Sequence, residues 1–200
     1  MAVIGLSKPY YGIYSATGNA VSYADGASMG KATEANIEIN TTEDNNLYAD
    51  NAIAETDRSF AGGTLALSTD DLSQEVTKVI LGLTENTITG IEGVTDTSVK
   101  ELVYDDTQTT PYLGVGFIIK KKVGGAYKWR AVVLCKVMFS VPADAATTQG
   151  ESIEWQVPDL SATIMRDDSA TRMWKREATF TTEAQAEAYI KARLNITVAA

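Results

Sequence analysis

Few residues of the kinds that carry enzyme chemistry occur in this chain. Its 200 residues include no histidine and a single cysteine, Cys135. The commonest general base is therefore missing, and so are the serine and cysteine triads that depend on it. Zinc sites built from clustered cysteine and histidine are excluded too, and one thiol cannot form an intrachain disulfide. We predict that the protein is not an enzyme and uses no cofactor.

Carboxylates are the remaining candidates for chemistry, because several occur as adjacent pairs. A calcium loop needs roughly six to eight oxygen ligands and usually a glycine that turns the chain, and no pair continues in that way. Two carboxylates can also hydrolyse a glycosidic bond, but nothing in the sequence marks one pair as buried or differently tuned. We predict solvated turns or helix caps here, with no catalytic and no metal-binding residue. The pairs are Glu43-Asp44, Asp70-Asp71, Asp105-Asp106 and Asp167-Asp168.

Three other local patterns have a structural explanation. Ser28 and Lys31 match the Ser-x-x-Lys spacing of serine acyl-enzymes, but they lie in a Gly- and Ala-rich connection and no Lys-Thr-Gly motif follows. Gly114 and Gly116 lie within an alternating strand pattern and lack the third glycine and the helix of a dinucleotide fingerprint. Cys135 falls on an apolar strand face, which favours packing over reactivity.

Alternation of apolar and polar residues with a period of two dominates the chain, as is typical of antiparallel strands. The strongest case is residues 112–141, where two alternating runs flank Gly124-Gly125 and predict a hairpin. We predict further strands at 11–16, 20–23, 33–41, 60–68, 152–157, 160–165 and 174–181. On the second run of the 112–141 hairpin, the pattern predicts one apolar face formed by Tyr127, Trp129, Ala131, Val133, Cys135, Val137, Phe139 and Val141.

Helical periodicity appears twice. One stripe runs from an N-cap at Asp70 or Asp71 to Gly82, and the other follows Thr182 over residues 183–194. Each stripe has one apolar face, so each helix should lie on a sheet. The sequence thus predicts one mainly β domain over residues 1–200. Its expected architecture is an antiparallel β-sandwich or barrel with one or two short flanking α-helices.

Two segments are candidates for contact with other chains. Residues 42–59 predict a long loop without Pro, Gly or a sustained period, which is unusual unless the loop has a function. We predict that it docks on a neighbouring chain, and the alternative is a loop folded over its own sheet. Residues 1–8 are an apolar N-terminal arm that could serve the same purpose. The candidate interface residues are Ile4, Leu6, Leu47, Tyr48, Asp50, Asn51, Ile53, Phe60, Lys121 and Lys122.

The balance of 17 basic and 26 acidic residues gives a net charge of −9. This charge argues against wrapping nucleic acid or binding an anionic membrane, because both need clustered Lys and Arg. The exception is residues 120–130, with Lys120, Lys121, Lys122, Lys128 and Arg130. A nucleic-acid patch and a solvated hairpin tip are possible interpretations. The charge of the whole chain favours a third, in which this basic end meets an acidic surface of another subunit.

Four segments carry a resemblance to a known family. They are residues 41–51 (TTEDNNLYADN), 111–117 (PYLGVGF), 129–134 (WRAVVL) and 145–151 (AATTQGE). Together they resemble the major tail proteins of long-tailed bacteriophages, in the phi13-type tail-tube group. The likeness extends over essentially the whole chain, and no single motif is diagnostic. Neither a secretory signal nor an apolar run long enough to span a bilayer is apparent in the sequence.

The resemblance implies a structural virion protein. Such proteins form hexameric rings that stack into a hollow tail tube, which conducts DNA from the capsid to the host. The implied partners are copies of the chain itself, the tape measure, tail terminator and distal tail proteins, and passing double-stranded DNA that is not specifically bound. The implied location is the phage tail, after synthesis in the bacterial cytoplasm, with no membrane partner.

A lumen that DNA slides through should be acidic or neutral, because each Lys or Arg that neutralised a phosphate would retain the duplex. Our first candidates for this lining are Glu34, Asn36, Glu38 and Asn40, and the second are Ser152, Glu154 and Gln156. Three alternatives remain at this point: another virion ring or decoration protein such as a tail terminator or capsid decoration protein, a β-sandwich adhesin or carbohydrate-binding module, and an enzyme that uses carboxylates.

Overall fold

A computed structural model describes residues 2–96, 98–143, 148 and 157–197. In these residues the chain is mainly β, with antiparallel strands and two short helices, as the alternation predicts. The strands are β1 (Ala2–Thr17), β2 (Ala20–Ser28), β3 (Ala32–Thr41), β4 (Asn45–Ala49), β5 (Ala52–Asp57), β6 (Phe60–Thr69), β7 (Thr84–Thr87), β8 (Lys100–Val103), β9 (Leu113–Val123), β10 (Ala126–Phe139), β11 (Asp159–Met165) and β12 (Lys175–Phe180). The helices are α1 (Gln74–Leu81) and α2 (Glu183–Arg193).

Eight strands form the main sheet, in the order β2-β1-β9-β10-β11-β6-β3 with β12 also paired to β10. Strand β10 has two partners on one side, because its first half pairs with β12 and its last residues pair with β11. Apolar side chains of β9 and β10 meet those of β6 and β11 in one buried cluster, closed by α1. The two halves of the sheet therefore pack against each other across one core, which is the arrangement of a β-sandwich.

A second, smaller core lies between α2 and the outer side of β9 and β10. Ile190 and Leu194 of the helix segment pack there against Ile118, Ala131 and Val133. Thr182 caps this helix as predicted, since its side chain accepts a hydrogen bond from the Gln185 amide. The β9–β10 hairpin itself is confirmed, with Gly124 and Gly125 at positive φ in its turn.

The prediction of one continuous apolar face along β10 is wrong. Val132 and Leu134 belong to the large core, whereas Ala131 and Val133 face α2. Beyond a bulge the odd-numbered residues change sides, because Leu134 lies opposite Val115 but Val137 lies opposite Leu113. The extra residue in β10 turns Val137 into the large core, and Phe139 joins the same core.

The first helix begins later than the sequence predicts. Ser73, not Asp70 or Asp71, is the N-cap of α1, and its hydroxyl accepts a hydrogen bond from the Val76 amide. Asp70 instead accepts a hydrogen bond of 2.8 Å from the Lys31 amide, far away in the sequence. The predicted end at Gly82 is confirmed, since this glycine adopts the left-handed conformation at φ 68°.

Residues 42–59 form a hairpin, β4–β5, and not the long irregular loop that we expect from the sequence. The Thr42 amide donates to the Ser59 carbonyl at 2.8 Å and closes its base. Asp50 and Asn51 both have positive φ, which is the backbone of a two-residue type I′ turn. The strand pattern is absent from the sequence because β5 is exposed along its whole length and neither strand pairs with the main sheet.

Residues 2–8, which the sequence suggests as an arm, continue strand β1 in this structure. Ala2 lies opposite Lys122 and Leu6 opposite Ile119, so this segment pairs with β9 of its own chain. The short β7–β8 hairpin is a further element that the sequence reasoning did not anticipate. The strand predicted at 152–157 and the segment 145–151 lie almost wholly outside the described residues. Among those residues, neither helix is long and apolar enough to cross a membrane.

Candidate assembly surfaces

A polar face extends across three neighbouring strands of the main sheet. Residues directly opposite each other in adjacent strands share one side of a sheet, so the register defines this face. We call it the polar face; it consists of Glu34, Asn36, Glu38 and Asn40 of β3, Gly62, Thr64, Ala66 and Ser68 of β6, and Asp159, Ser161 and Thr163 of β11. The four candidates on β3 are all exposed, as we expect for a lining surface.

The three strands of the polar face carry negative charge only; on the same side of the next strand, β10, Lys136 lies opposite Met165 and is paired with Asp168. The charged side chains of the polar face are Glu34, Glu38 and Asp159, and strands β3, β6 and β11 contain no Lys or Arg anywhere along their lengths. Asp159 accepts a hydrogen bond from the Ser68 hydroxyl, and Glu38 accepts one from Asn36. The other predicted lining residues, Ser152, Glu154 and Gln156, lie outside the described residues.

Strand β3 is at one end of the main sheet and pairs only with β6 in the described chain. Strand β1 lies near β3 but is not paired with it, so the outer edge of β3 has no hydrogen-bonded strand partner among the described residues. Long unprotected edges of this kind are where sheets join edge to edge between subunits. The polar face thus ends at an edge that is suited to extension by a second copy.

We call the β4–β5 hairpin and its base, residues 42–59, the acidic hairpin. Leu47, Tyr48 and Ile53 are exposed by 59%, 66% and 54%, which is high for apolar side chains. The hairpin also contains Glu43, Asp44, Asp50, Glu55 and Asp57 against one basic residue, Arg58. Arg58 is occupied by Asp44, to which it donates two hydrogen bonds of 2.6 Å. The other four carboxylates form no ion pair within the described part of the chain.

We call the five basic residues at the turn of β9–β10 the basic tip: Lys120, Lys121, Lys122, Lys128 and Arg130. The Lys120 ammonium lies 4.5 Å from the Tyr127 ring centroid, and that of Lys122 lies 5.9 Å from the same ring. Such cation–π contacts hold a lysine without neutralising it. None of the four lysines forms an ion pair with a described carboxylate.

Two of the predicted interface residues are used within the chain. Phe60 stacks on Trp174, with ring centroids 4.8 Å apart and planes 8° apart. Leu6 packs against the large core. Ile4 is exposed beside the basic tip, and Lys122 is exposed at the tip itself. Asp50 and Asn51 form the turn of the acidic hairpin, so the turn geometry already accounts for these residue types.

The exposed apolar residues around β7–β8 are not predicted from the sequence. Ile91, Val94, Val99 and Tyr104 are all exposed there. Glu85 of β7 is held by Lys100 at 2.7 Å and by Lys78 at 3.3 Å, which ties this hairpin to α1. Ile91 and Val94, on either side of Gly93, were the available signal in the sequence, but they follow no strand or helix period.

In each pair of adjacent carboxylates, at least one member has a structural partner. Asp105 accepts hydrogen bonds from the amide and hydroxyl of Thr107, which is a turn of the predicted kind. Asp168 pairs with Lys136 at 2.7 Å, and this ammonium lowers the pKa of the carboxyl. Asp167 departs from the prediction of a solvated turn, because it is only 4% exposed and accepts hydrogen bonds from Ser169. Within the described residues, no three potential ligands are grouped to hold a metal ion.

The side chains of the other motifs with possible chemistry also form contacts within the fold. The Ser28 hydroxyl donates to the Gly30 carbonyl, and the Lys31 ammonium lies 3.4 Å from Asp70, so the two do not act on each other. Cys135 is buried at the bulge of β10, and burial raises the pKa of its thiol.

The chain matches none of the protein-family models and none of the curated proteins with which it was compared. Support for a function therefore comes from the surfaces described above. The acidic hairpin and the basic tip carry opposite charge, the polar face carries carboxylates only, and all three surfaces lie on antiparallel strands.

Proposed function

We propose that this chain is a structural subunit that assembles with copies of itself into stacked rings, forming the hollow tail tube of a long-tailed phage. The observation that carries this proposal is the polar face, where three adjacent strands carry three carboxylates and no Lys or Arg. A surface of this composition suits the inside of a conduit for DNA. On this proposal the rings are hexameric and the polar face lines the channel.

The physical reason lies in the charge of DNA. Each basic side chain that contacts phosphate releases counterions and strengthens binding, and a ring multiplies that effect by its number of subunits. A surface with only carboxylates instead repels the duplex within about 8 Å at physiological salt. Glu34, Glu38 and Asp159 on each copy would keep DNA from adhering along the whole tube.

Assembly is favoured by surfaces whose exposure to solvent costs free energy. The free edge of β3 offers backbone hydrogen-bonding groups, and the acidic hairpin exposes Leu47, Tyr48 and Ile53. Both features favour contact between copies over a solitary particle. The same reasoning applies to a tail terminator or capsid decoration protein, which would form single rings or bind the capsid. If this chain is the tail-tube subunit, its partners in the virion would be the tape measure, tail terminator and distal tail proteins.

A carbohydrate-binding module has less support. Sugar-binding platforms need exposed aromatic rings, but Trp174 stacks on Phe60 and Trp129 packs beside the α2 core. Trp155 lies outside the described residues. The three exposed apolar residues of the acidic hairpin are a better match to protein contact than to a sugar.

Electron microscopy of the purified protein tests the proposal. In negative stain at increasing protein concentration, we expect rings about one subunit thick that stack into open tubes with a central channel. Closed single rings that never stack would favour a terminator or decoration protein. A monomer that persists at millimolar concentration, measured by light scattering in the same samples, would contradict self-assembly.

A further inference from the structure

We infer that the acidic hairpin of one copy docks on the basic tip of a second copy. This inference rests on the proposed function, since it names the contact through which copies would assemble. Each acidic hairpin is thus covered by the basic tip of a neighbouring chain, and each basic tip by a neighbour's acidic hairpin. Among the described residues of one chain no ion pair joins the two, and both surfaces carry charged side chains that form no ion pair there.

Charge complementarity is the first argument. Residues 120–130 contain five basic residues and no acidic one, whereas residues 42–59 contain five acidic residues and one basic. Lys121 and Lys128 lie directly opposite each other in β9 and β10, where like charges destabilise a strand pair. Glu177 on β12 pairs with Lys175 at 2.8 Å, and the same carboxylate also attracts Arg130 and Lys121, so one carboxylate within the chain is shared by three cations. Carboxylates from another molecule would remove this repulsion.

The shape and chemistry of the acidic hairpin provide the second argument. An open groove of about 490 Å³ on the hairpin is lined by Asn45, Asn46, Leu47, Glu55, Thr56 and Asp57. Two carboxylates and two amides in one groove are acceptors suited to a lysine ammonium. The flexible stems of Lys121 and Lys122 allow such a group to enter the groove while their methylenes contact Leu47.

Exposed apolar residues accompany the charges on both sides. Leu47, Tyr48 and Ile53 lie on the hairpin, and Val3 and Tyr127 lie at the tip, exposed by 64% and 50%. Val3 is directly opposite Lys121 in the β1–β9 pair, so the apolar and basic groups of the tip are neighbours. An apolar centre with charges around it is the usual composition of a specific protein interface.

The β7–β8 hairpin is a weaker candidate for the same partner. It is also acidic, but Glu85 is neutralised by Lys78 and Lys100, and Asp96 accepts hydrogen bonds from Ser98 within its own turn. The carboxylates of the acidic hairpin other than Asp44 have no such partner among the described residues. Glu92 and Glu101 have no ion pair either, but the acidic hairpin has four such carboxylates among the described residues, Glu43, Asp50, Glu55 and Asp57, and this larger unpaired charge favours it.

This contact joins two different surfaces, so it is heterologous. A heterologous contact repeats from copy to copy and yields a closed ring or a continuing filament, whereas an isologous contact stops at a dimer. The inferred docking therefore generates the kind of assembly that a tube requires.

Two charge-reversed proteins test the inference. The first, Glu55→Lys with Asp57→Lys, reverses both carboxylates of the hairpin groove, and the second, Lys121→Glu with Lys122→Glu, reverses the two lysines that would enter it. Alone, each would place like charges at positions 55 and 57 against those at 121 and 122, and we expect the concentration needed for half-assembly to rise at least about tenfold. Mixed in equal amounts, they present opposite charges at every contact when they alternate, and assembly should return to near the wild-type concentration. Light scattering and negative stain measure both effects.

A matched control carries the same charge change elsewhere. Glu101→Lys with Asp106→Lys reverses two exposed acidic residues near β7–β8 and should leave assembly unchanged. Circular dichroism of every variant checks folding, and an unfolded variant could not restore assembly in the mixture. The inference is overturned if wild-type protein assembles and either reversed variant does so equally well. It is also overturned if each variant fails alone and the mixture fails too. Failure of wild-type protein to assemble would instead remove the proposed function, and the inference with it.

Discussion

The hydroxyl of Tyr10 donates a hydrogen bond of 2.7 Å to the carboxylate of Glu187, joining β1 to α2. Lys191 approaches the same carboxylate at 2.6 Å, and Lys8 also pairs with it. These contacts, with Lys191 the strongest, lower the pKa of Glu187 from 4.5 to about 2. One carboxylate thus holds the helix to the first strand.

This pKa predicts an acid-dependent loss of stability. Because the folded-state pKa lies below the unfolded value, Glu187 stabilises the fold fully above about pH 5 and loses that contribution between about pH 5 and 2. Its side chain is 18% exposed, so we expect about 2 kcal/mol at neutral pH. Urea unfolding of wild type and Glu187→Gln should differ by this amount at pH 7 and converge near pH 2. A difference that stays constant with pH would contradict the assignment.

Gly116 lies where β9 passes under α2. A Cβ at this position would lie 2.6 Å from Cγ2 of Ile190, a fully buried side chain that cannot move aside. We therefore expect Gly116→Ala to lower the free energy of unfolding by about 1–3 kcal/mol, as overpacking does in other cores. Gly5→Ala in β1 is the matched control, since its Cβ would meet Lys120 at an ordinary 3.7 Å. Equal stability of the two variants would show that the helix adjusts.

Cys135 should be inert toward thiol reagents in the folded protein. Its side chain is buried and its raised pKa keeps it protonated, so both access and thiolate are lacking. With Ellman's reagent at pH 8 we expect a reaction at least about 100-fold slower than in urea, where exchange no longer waits for local opening. Rapid labelling of native protein would mean that the β10 bulge opens readily.

Charge reversal on the polar face tests its role as a lining. Glu34→Lys with Glu38→Lys puts two ammonium groups per copy on a surface that has none, and DNA would then be retained by counterion release. We expect tubes of normal appearance in negative stain, but a loss of infectivity and of DNA ejection when the variant replaces the natural subunit in virions. Glu101→Lys with Asp106→Lys serves as the control of equal charge. Normal ejection by the polar-face variant would remove the lumen assignment.

Prediction from the sequence succeeded where the determining interactions are local. The β9–β10 hairpin follows from Gly124-Gly125 between two alternating runs, and the ends of the helices follow from Thr182 and Gly82. Each of these features depends on residues that are close together in the sequence. The N-cap of α1 was misplaced by two or three residues, because Asp70 binds the Lys31 amide, a partner from a distant part of the sequence.

Prediction failed where a partner strand decides the outcome. The bulge at Cys135 changes which residues of β10 face the core. It is defined by the way β10 pairs with β9, which the sequence of β10 alone does not show. The acidic hairpin has no buried face, so no alternation marks it in the sequence.

The alternation of β3 alone was enough to identify Glu34 and Glu38 as members of an exposed acidic face, because a strand turns successive side chains to opposite sides. That β6 and β11 continue this face without a basic residue is a result of strand order and register. Strand order depends on which apolar sides can be buried together, and this is a property of the whole fold that no single segment contains.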